Sequence, residues 1–273
     1  MIRPALKWLG SKASIIDTLR PHLPEGKRLV EPFTGSGAVF INTDYESYLL
    51  TDINSDLINF HNAVKNLPDA LIRETRNLFN EYADEAGYYA VRADFNLRCD
   101  SNFLYRAAQF LYLNRHCFNG VCRYNLSGEF NVPFGHRKKP YFPEAEIHAF
   151  SEKAQAKKAI FLCCTFQESI RMAQAGDVIY CDPPYIPASA TANFTGYHTD
   201  GFTSDQQRKL ACMLRIAARR GRHVVASNSE TAAALDLYSD FNITAITARR
   251  SVSARATSRE RVGEIIASMR ASA

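Results

Sequence analysis

Short apolar runs bounded by turn-forming residues recur along the chain, and they set the predicted elements. Residues 28–33 read as a strand closed by the turn at Gly35 and Gly37, and residues 48–51 as a second strand ending at Asp52. Further strands are predicted over 159–166, 177–181, 223–227, 241–247 and 262–268. Helical spacing lies between several of them, most plainly over 203–220. Strands alternating with helices predict an α/β fold with a mainly parallel sheet.

One region breaks the alternation. From Asp56 the apolar positions Leu57, Phe60, Val64, Leu71, Leu78 and Phe79 follow a helical period, which resumes over 103–113. The chain then becomes a loop rich in Asn, Gly and Pro up to Glu144. The simplest organisation is an α/β domain in two pieces, 1–55 and 145–273, with a mostly helical insertion at 56–144.

Composition removes several classes. With 273 residues, 46% of them hydrophobic, the chain can bury a core unaided. No apolar run approaches the roughly 18–20 residues of a membrane span, and no signal-peptide core is visible, so a cytoplasmic protein is expected. The seven cysteines form no CxxC pair, which predicts reduced thiols and no zinc site. Cys163, Cys164 and Cys181 fall in runs that read as buried strands. The net charge is +5, and six Lys/Arg against Glu129 alone concentrate it in 104–140. Interleaved with Phe118, Tyr124, Phe130, Phe134, Tyr141 and Phe142, that stretch reads as a nucleic-acid surface or, equally, a solvated basic face. A second basic run spans 249–261.

Two motifs carry chemistry. Glu31-Pro32-Phe33-Thr34-Gly35-Ser36-Gly37 follows a strand, and its glycines let the backbone turn tightly against a ligand. Asp52, ending the next strand, is placed to accept hydrogen bonds from ribose hydroxyls, but the third glycine of a dinucleotide fingerprint is missing, and a plain strand-turn-helix is the alternative. The second motif, Asp182-Pro183-Pro184-Tyr185, closes another strand. Its prolines fix φ and remove two N–H donors, so Asp182 and the Pro183 carbonyl can both accept from one amino group while Tyr185 offers a ring for a base. A rigid strand-ending turn with a structural role is the alternative.

With these residues the chain resembles the Dam-type DNA adenine-N6 methyltransferases, nearly end to end. The resemblance includes Lys7-Trp8-Leu9-Gly10-Ser11-Lys12, the Glu31–Gly37 loop, Thr51-Asp52-Ile53-Asn54, Leu113-Asn114-Arg115, Asn119-Gly120, Cys122-Arg123-Tyr124-Asn125, residues 128–135 and 138–146, the Asp182–Tyr185 motif and residues 189–197. It implies a Rossmann-like methyltransferase core that binds S-adenosylmethionine, no metal, and a target-recognition insertion. The expected cofactor contacts are Trp8, Lys12, Phe33, Gly35, Gly37, Asp52, Phe166 and Asp182. The expected partner is double-stranded DNA with GATC sites, with no obligate protein partner evident and no membrane. Arg123 and Lys7 would read guanines, Val121 and Pro133 a thymine methyl, Phe118 would wedge into the stack, Asn119 would meet the orphaned base, and Arg137 would lie at the first base pair. Phe118 and Val121 depart conservatively from the family's usual residues and keep the wedge and the methyl contact, whereas the departure at His136-Arg137 bears on how the first base pair is read. A different target, an RNA or cytosine substrate, and an inactive binding module are the other readings.

Overall fold

The computed structural model describes residues 1–97, 102–137, 139–186, 202–249 and 261–271. Among the described residues seven strands form one sheet: β1 (Arg28–Glu31), β2 (Ser47–Asp52), β3 (Ile160–Cys163), β4 (Val178–Cys181), β5 (His223–Ser229), β6 (Asn242–Arg249) and β7 (Arg261–Met269). Their order is β3-β2-β1-β4-β5-β7-β6, with β1 to β5 parallel and β7 antiparallel between β5 and β6. This is the expected Rossmann-like α/β sheet. The strand β4, Val-Ile-Tyr-Cys, is an unbroken apolar run because it is buried on both faces.

One face of the sheet is covered by α1 (Ile16–Leu19), α2 (Ala38–Asn42), α3 (Ser55–Asn66) and, later in the chain, α7 (Glu144–Ala156). The same core continues into α4 (Pro68–Glu81), α5 (Glu85–Asn96) and α6 (Phe103–His116) of the 56–144 stretch. The other face is covered by α8 (Phe166–Met172), α9 (Ser204–Arg219) and α10 (Ala232–Leu237), through Phe166, Ile170, Leu210, Leu214 and Ala234.

Local signals set several boundaries. Thr203 opens α9 with a capping box completed by Gln206, so the observed helix matches the predicted one closely. Thr165 and Glu168 form a second capping box that starts α8 at Phe166, so the strand expected over 159–166 stops at Cys163. The strand β3 pairs with β2 alone at the sheet edge, which leaves Ile160 and Leu162 48% and 38% exposed. Cys163 is accordingly exposed rather than buried, whereas Cys181, in the sheet centre, is buried as expected. Cys99, residues 189–197 and most of the second basic run lie outside the described residues.

Candidate active site

The carboxyl ends of β1, β2, β4 and β5 converge, and the two sequence motifs meet there. After β1 the backbone turns through Gly35 (φ +48°) and Gly37 (φ +72°) into α2. At Gly35 a Cβ would stand 2.8 Å from the Trp8 indole nitrogen, and at Gly37 it would stand 2.7 Å from the Phe150 ring. Both positions therefore need glycine for space as well as for φ. The Gly35 N–H donates to Asp52 Oδ2 at 3.2 Å, and Asp52 Oδ1 accepts from Asn54 N–H at 3.0 Å. His61, sandwiched between Phe150 and Phe161, donates from Nε2 to the Gly35 carbonyl at 2.8 Å. Burial pulls its pKa down to about 4, so the loop is held by a neutral ring. Phe33, Phe166 and Phe202 pack edge and face about one another beside this loop, with Phe33–Phe166 centroids 5.7 Å apart.

The Asp182–Tyr185 turn follows β4 and is gripped along its length. Asp182 Oδ2 pairs with Lys12 Nζ at 2.8 Å, and Oδ1 accepts from Ser227 Oγ at 2.8 Å. Tyr180 lies 3.0 Å from the same Ser227 oxygen. The serine's single hydrogen goes to Asp182, so Tyr180 is the donor and the three groups form a directed chain. Gln207 donates to the Pro184 carbonyl at 2.7 Å, and Tyr185 donates to Glu264 Oε2 at 2.9 Å. Asn228 and Ser229 hold the Ile186 N–H and carbonyl. Lys12 also caps the Gly10 carbonyl at 2.9 Å and stands 4.8 Å from the Tyr185 ring centre.

Glu31, at the end of β1, is fully enclosed. Burial first, and the Asp182 charge second, push its pKa up to about 8. Its Oε1 and the Thr34 hydroxyl have no hydrogen-bond partner. Buried polar atoms left unpaired beside a glycine turn fit a bound molecule that brings its own polar groups. Sequence reasoning assigned no role to Ser227, Glu264 or Glu31. Polar residues at the carboxyl end of apolar strands were the available signal.

The loop after α6 holds the second group of candidates. Isolated bridges Cys117–Phe134 and Tyr124–Phe130 shape it, and a short 3-10 turn covers Phe118–Gly120. The Phe118 N–H donates to the Pro133 carbonyl at 2.9 Å, which brings those two residues together. Phe118 is 53% exposed, and Asn119, Arg123, Pro133 and Arg137 are exposed as well, while Val121 is half-buried. Arg123 Nε is steadied by Asn131 Oδ1 at 2.8 Å. Lys7 joins this group because Asn114 bonds both its N–H and its carbonyl, and its stem lies against Gly120. Burial, with Arg137 and Arg115 nearby, lowers the Lys7 pKa to about 8. Tyr124 donates to Asp56 at 2.7 Å, and Asp56 also pairs with Arg106 at 2.6 Å, tying the loop to the start of α3.

Part of the expected basic-aromatic surface is interior. Phe130 is 1% exposed and packs in the core, Arg115 is buried against the Ala5 carbonyl, and Arg106 serves Asp56. Phe130 lies in a loop, which has no periodicity to tell inward from outward positions, whereas Arg106 and Arg115 lie on α6 and are drawn to Asp56 and to the Ala5 carbonyl.

Among the described residues no group of three His, Cys, Asp or Glu could hold a metal ion, and no helix is long and apolar enough to cross a membrane. Comparison with known proteins supplies the family. The D12 class N6 adenine-specific DNA methyltransferases match residues 8–252. The DNA adenine methylase of Serratia marcescens is 47% identical over 267 residues, covering 97% of each chain. That of Vibrio cholerae is 48% identical over 97% of this chain and 95% of its own, and that of Escherichia coli 47% over 97% and 94%. Matches of this extent show that the chain belongs to the D12 class of adenine-specific DNA methyltransferases.

Proposed function

We propose that the protein transfers a methyl group from S-adenosylmethionine to N6 of adenine in double-stranded GATC, with the adenine turned out of the duplex. The observation that carries this reading is the Asp182–Tyr185 turn, fixed at both Asp182 oxygens and at the Tyr185 hydroxyl and set beside the glycine loop.

Trp8, Lys12, Phe33, Gly35, Gly37, Asp52, Phe166 and Asp182 are the residues proposed to hold the cofactor. The unpaired Glu31 and Thr34 atoms fit a ligand with polar and cationic groups. When bound, S-adenosylmethionine supplies an electrophilic methyl on a sulfonium centre. The chain's own task is to make a poor nucleophile reactive, because the adenine amino lone pair is delocalised into the ring. Each Asp182 oxygen keeps a lone pair after its bond to Ser227 or Lys12. Asp182 and the Pro183 carbonyl can thus hold the two amino hydrogens and turn the lone pair out of the ring plane. Tyr185 stacks on the base. Positioning and electrostatics supply the rate, and the extra proton, acidic once the nitrogen is methylated, leaves to solvent.

N6 is out of reach inside a duplex, which requires flipping. We assign the recognition domain to the 56–144 stretch, inserted in a methyltransferase domain of 1–55 and 145–273, with α3 at its start packed on the sheet of that domain. Arg123 is suited to a guanine edge, Val121 and Pro133 to the thymine methyl, Phe118 to the gap left by the adenine, and Asn119 to its former partner. Lys7 and Arg137 stand together at the first base pair.

Transfer of labelled methyl from S-adenosylmethionine to duplexes that contain GATC or differ from it by one pair tests the reading, with the products identified as nucleosides by mass. N6-methyladenine in GATC alone is expected. Methylation that tolerates changes in the first pair would leave the chemistry standing and overturn the stated target. DNA binding without transfer would overturn the catalytic reading.

A further inference from the structure

We propose that Glu264 is a positioning residue for adenine methylation, its carboxylate fixing the ring of Tyr185 against which the target base stacks. This inference rests on the reading of Tyr185 given above.

The backbone of the turn is already immobilised. Pro183 and Pro184 fix their own φ, Gln207 holds the Pro184 carbonyl at 2.7 Å, and Asn228 and Ser229 hold both sides of the Ile186 peptide. Rotation of the Tyr185 side chain is what remains, and its two side-chain torsions are not set by any of these bonds. The hydroxyl at the far end of the ring donates to Glu264 Oε2 at 2.9 Å, so the ring is pinned at both ends. Lys12 stands 4.8 Å from the ring centre and 2.8 Å from Asp182 Oδ2, so the ring's placement bears on the carboxylate that would receive the amino group.

Glu264 comes from a remote part of the chain. It sits on β7, in register with Ser229 of β5, and Ile266 of β7 is in register with Ser227. Side chains two apart on a strand share a face, so Ser227 and Ser229 face one way from β5, and Glu264 and Ile266 one way from β7. Ser227 orients Asp182 and Glu264 orients Tyr185, which divides the work between paired strands. Burial pushes the Glu264 pKa up. A carboxyl in that setting is costly, and packing alone would be served by an apolar residue.

The test uses the full chain with Glu264→Ala, Glu264→Gln, Tyr185→Phe, Tyr185→Ala and the double change Glu264→Ala/Tyr185→Phe. Single-turnover methylation gives the rate, fluorescence of Trp8, the sole tryptophan, gives S-adenosylmethionine binding, and 2-aminopurine at the target position reports stacking of the extruded base. Glu264→Ala is expected to slow transfer about tenfold, the scale of a hydrogen bond to a charged group, and to unquench 2-aminopurine while cofactor affinity stays within about twofold. Glu264→Gln keeps an acceptor oxygen and should recover most of the rate. Tyr185→Phe should lose as much as Glu264→Ala, with the double change no slower than either. A wild-type rate for Glu264→Ala, losses that multiply in the double change, or loss of cofactor binding would each overturn the proposal. Tyr185→Ala separates the two claims: if it is slow while Glu264→Ala is not, only this inference fails, and if it is fully active the stacking reading fails with it.

Discussion

The turn after β4 and the loop after α6 differ in how firmly their outward side chains are held. At the turn, side chains fix side chains: Ser227 and Lys12 grip Asp182, and Glu264 grips Tyr185. In the loop, backbone is bonded to backbone through Phe118–Pro133, Gly135–His116 and Asn131–Arg123, and buried groups such as Tyr88 hold the Val132 carbonyl. The outward side chains Phe118, Asn119 and Pro133 are left exposed. A site that must align atoms for reaction needs its groups set beforehand, because reorganisation during the reaction raises the barrier. A surface that reads a duplex needs only its stems fixed, since the partner orders the tips on binding. Mutations in the first region should therefore change rate, and those in the second should change discrimination.

The largest effect is expected at the turn. Asp182→Asn should lower the single-turnover rate by about 10²–10³ while DNA binding is retained, since it replaces one acceptor oxygen by a donor where charge develops. Arg123→Ala should leave the rate on the matched duplex nearly intact. Its ratio of kcat/KM between matched and single-pair-altered duplexes should fall by roughly tenfold or more, the scale of one bidentate base contact at about 1–3 kcal/mol. A rate loss equal on all duplexes would make Arg123 a phosphate clamp and blur the division. Gly35→Ala tests the support of the turn region: a strained φ and the contact with Trp8 should reduce unfolding free energy in urea by about 1–3 kcal/mol.

The smallest effect concerns charge. Lys7 has its pKa lowered to about 8, and phosphates in a complex favour its charged form. Binding then takes up a proton once pH exceeds about 8, so DNA affinity should weaken as pH rises from 8 toward 10. Fluorescence anisotropy at fixed salt should show that slope for the native chain, and Lys7→Met should flatten it.

The parts legible in sequence were those encoded locally. The helical spacing over 203–220, the apolar run of β4 and the Asp182–Tyr185 turn each announce themselves locally. The groups that orient the turn do not. Glu264 follows Tyr185 by 79 residues and reaches it only because β7 runs antiparallel beside β5. Lys12 reaches Asp182 from the other end of the chain, where the family resemblance implied a cofactor contact alone. Phe130 was read as surface and is core because Asn96 bonds its backbone on both sides and draws it inward. Edge position, which exposes Cys163, is likewise a property of strand order and not of the run itself.

The strand order also has a consequence for biosynthesis. The strand β7 is translated after β5 and β6 yet lies between them. Until it emerges from the ribosome, the β5 edge has no partner on that side, and β6 has no place in the sheet. A nascent chain already carrying the Asp182–Tyr185 turn and the whole 56–144 stretch would still lack the carboxylate that meets Tyr185. Full methylating competence would thus await the emergence of β7.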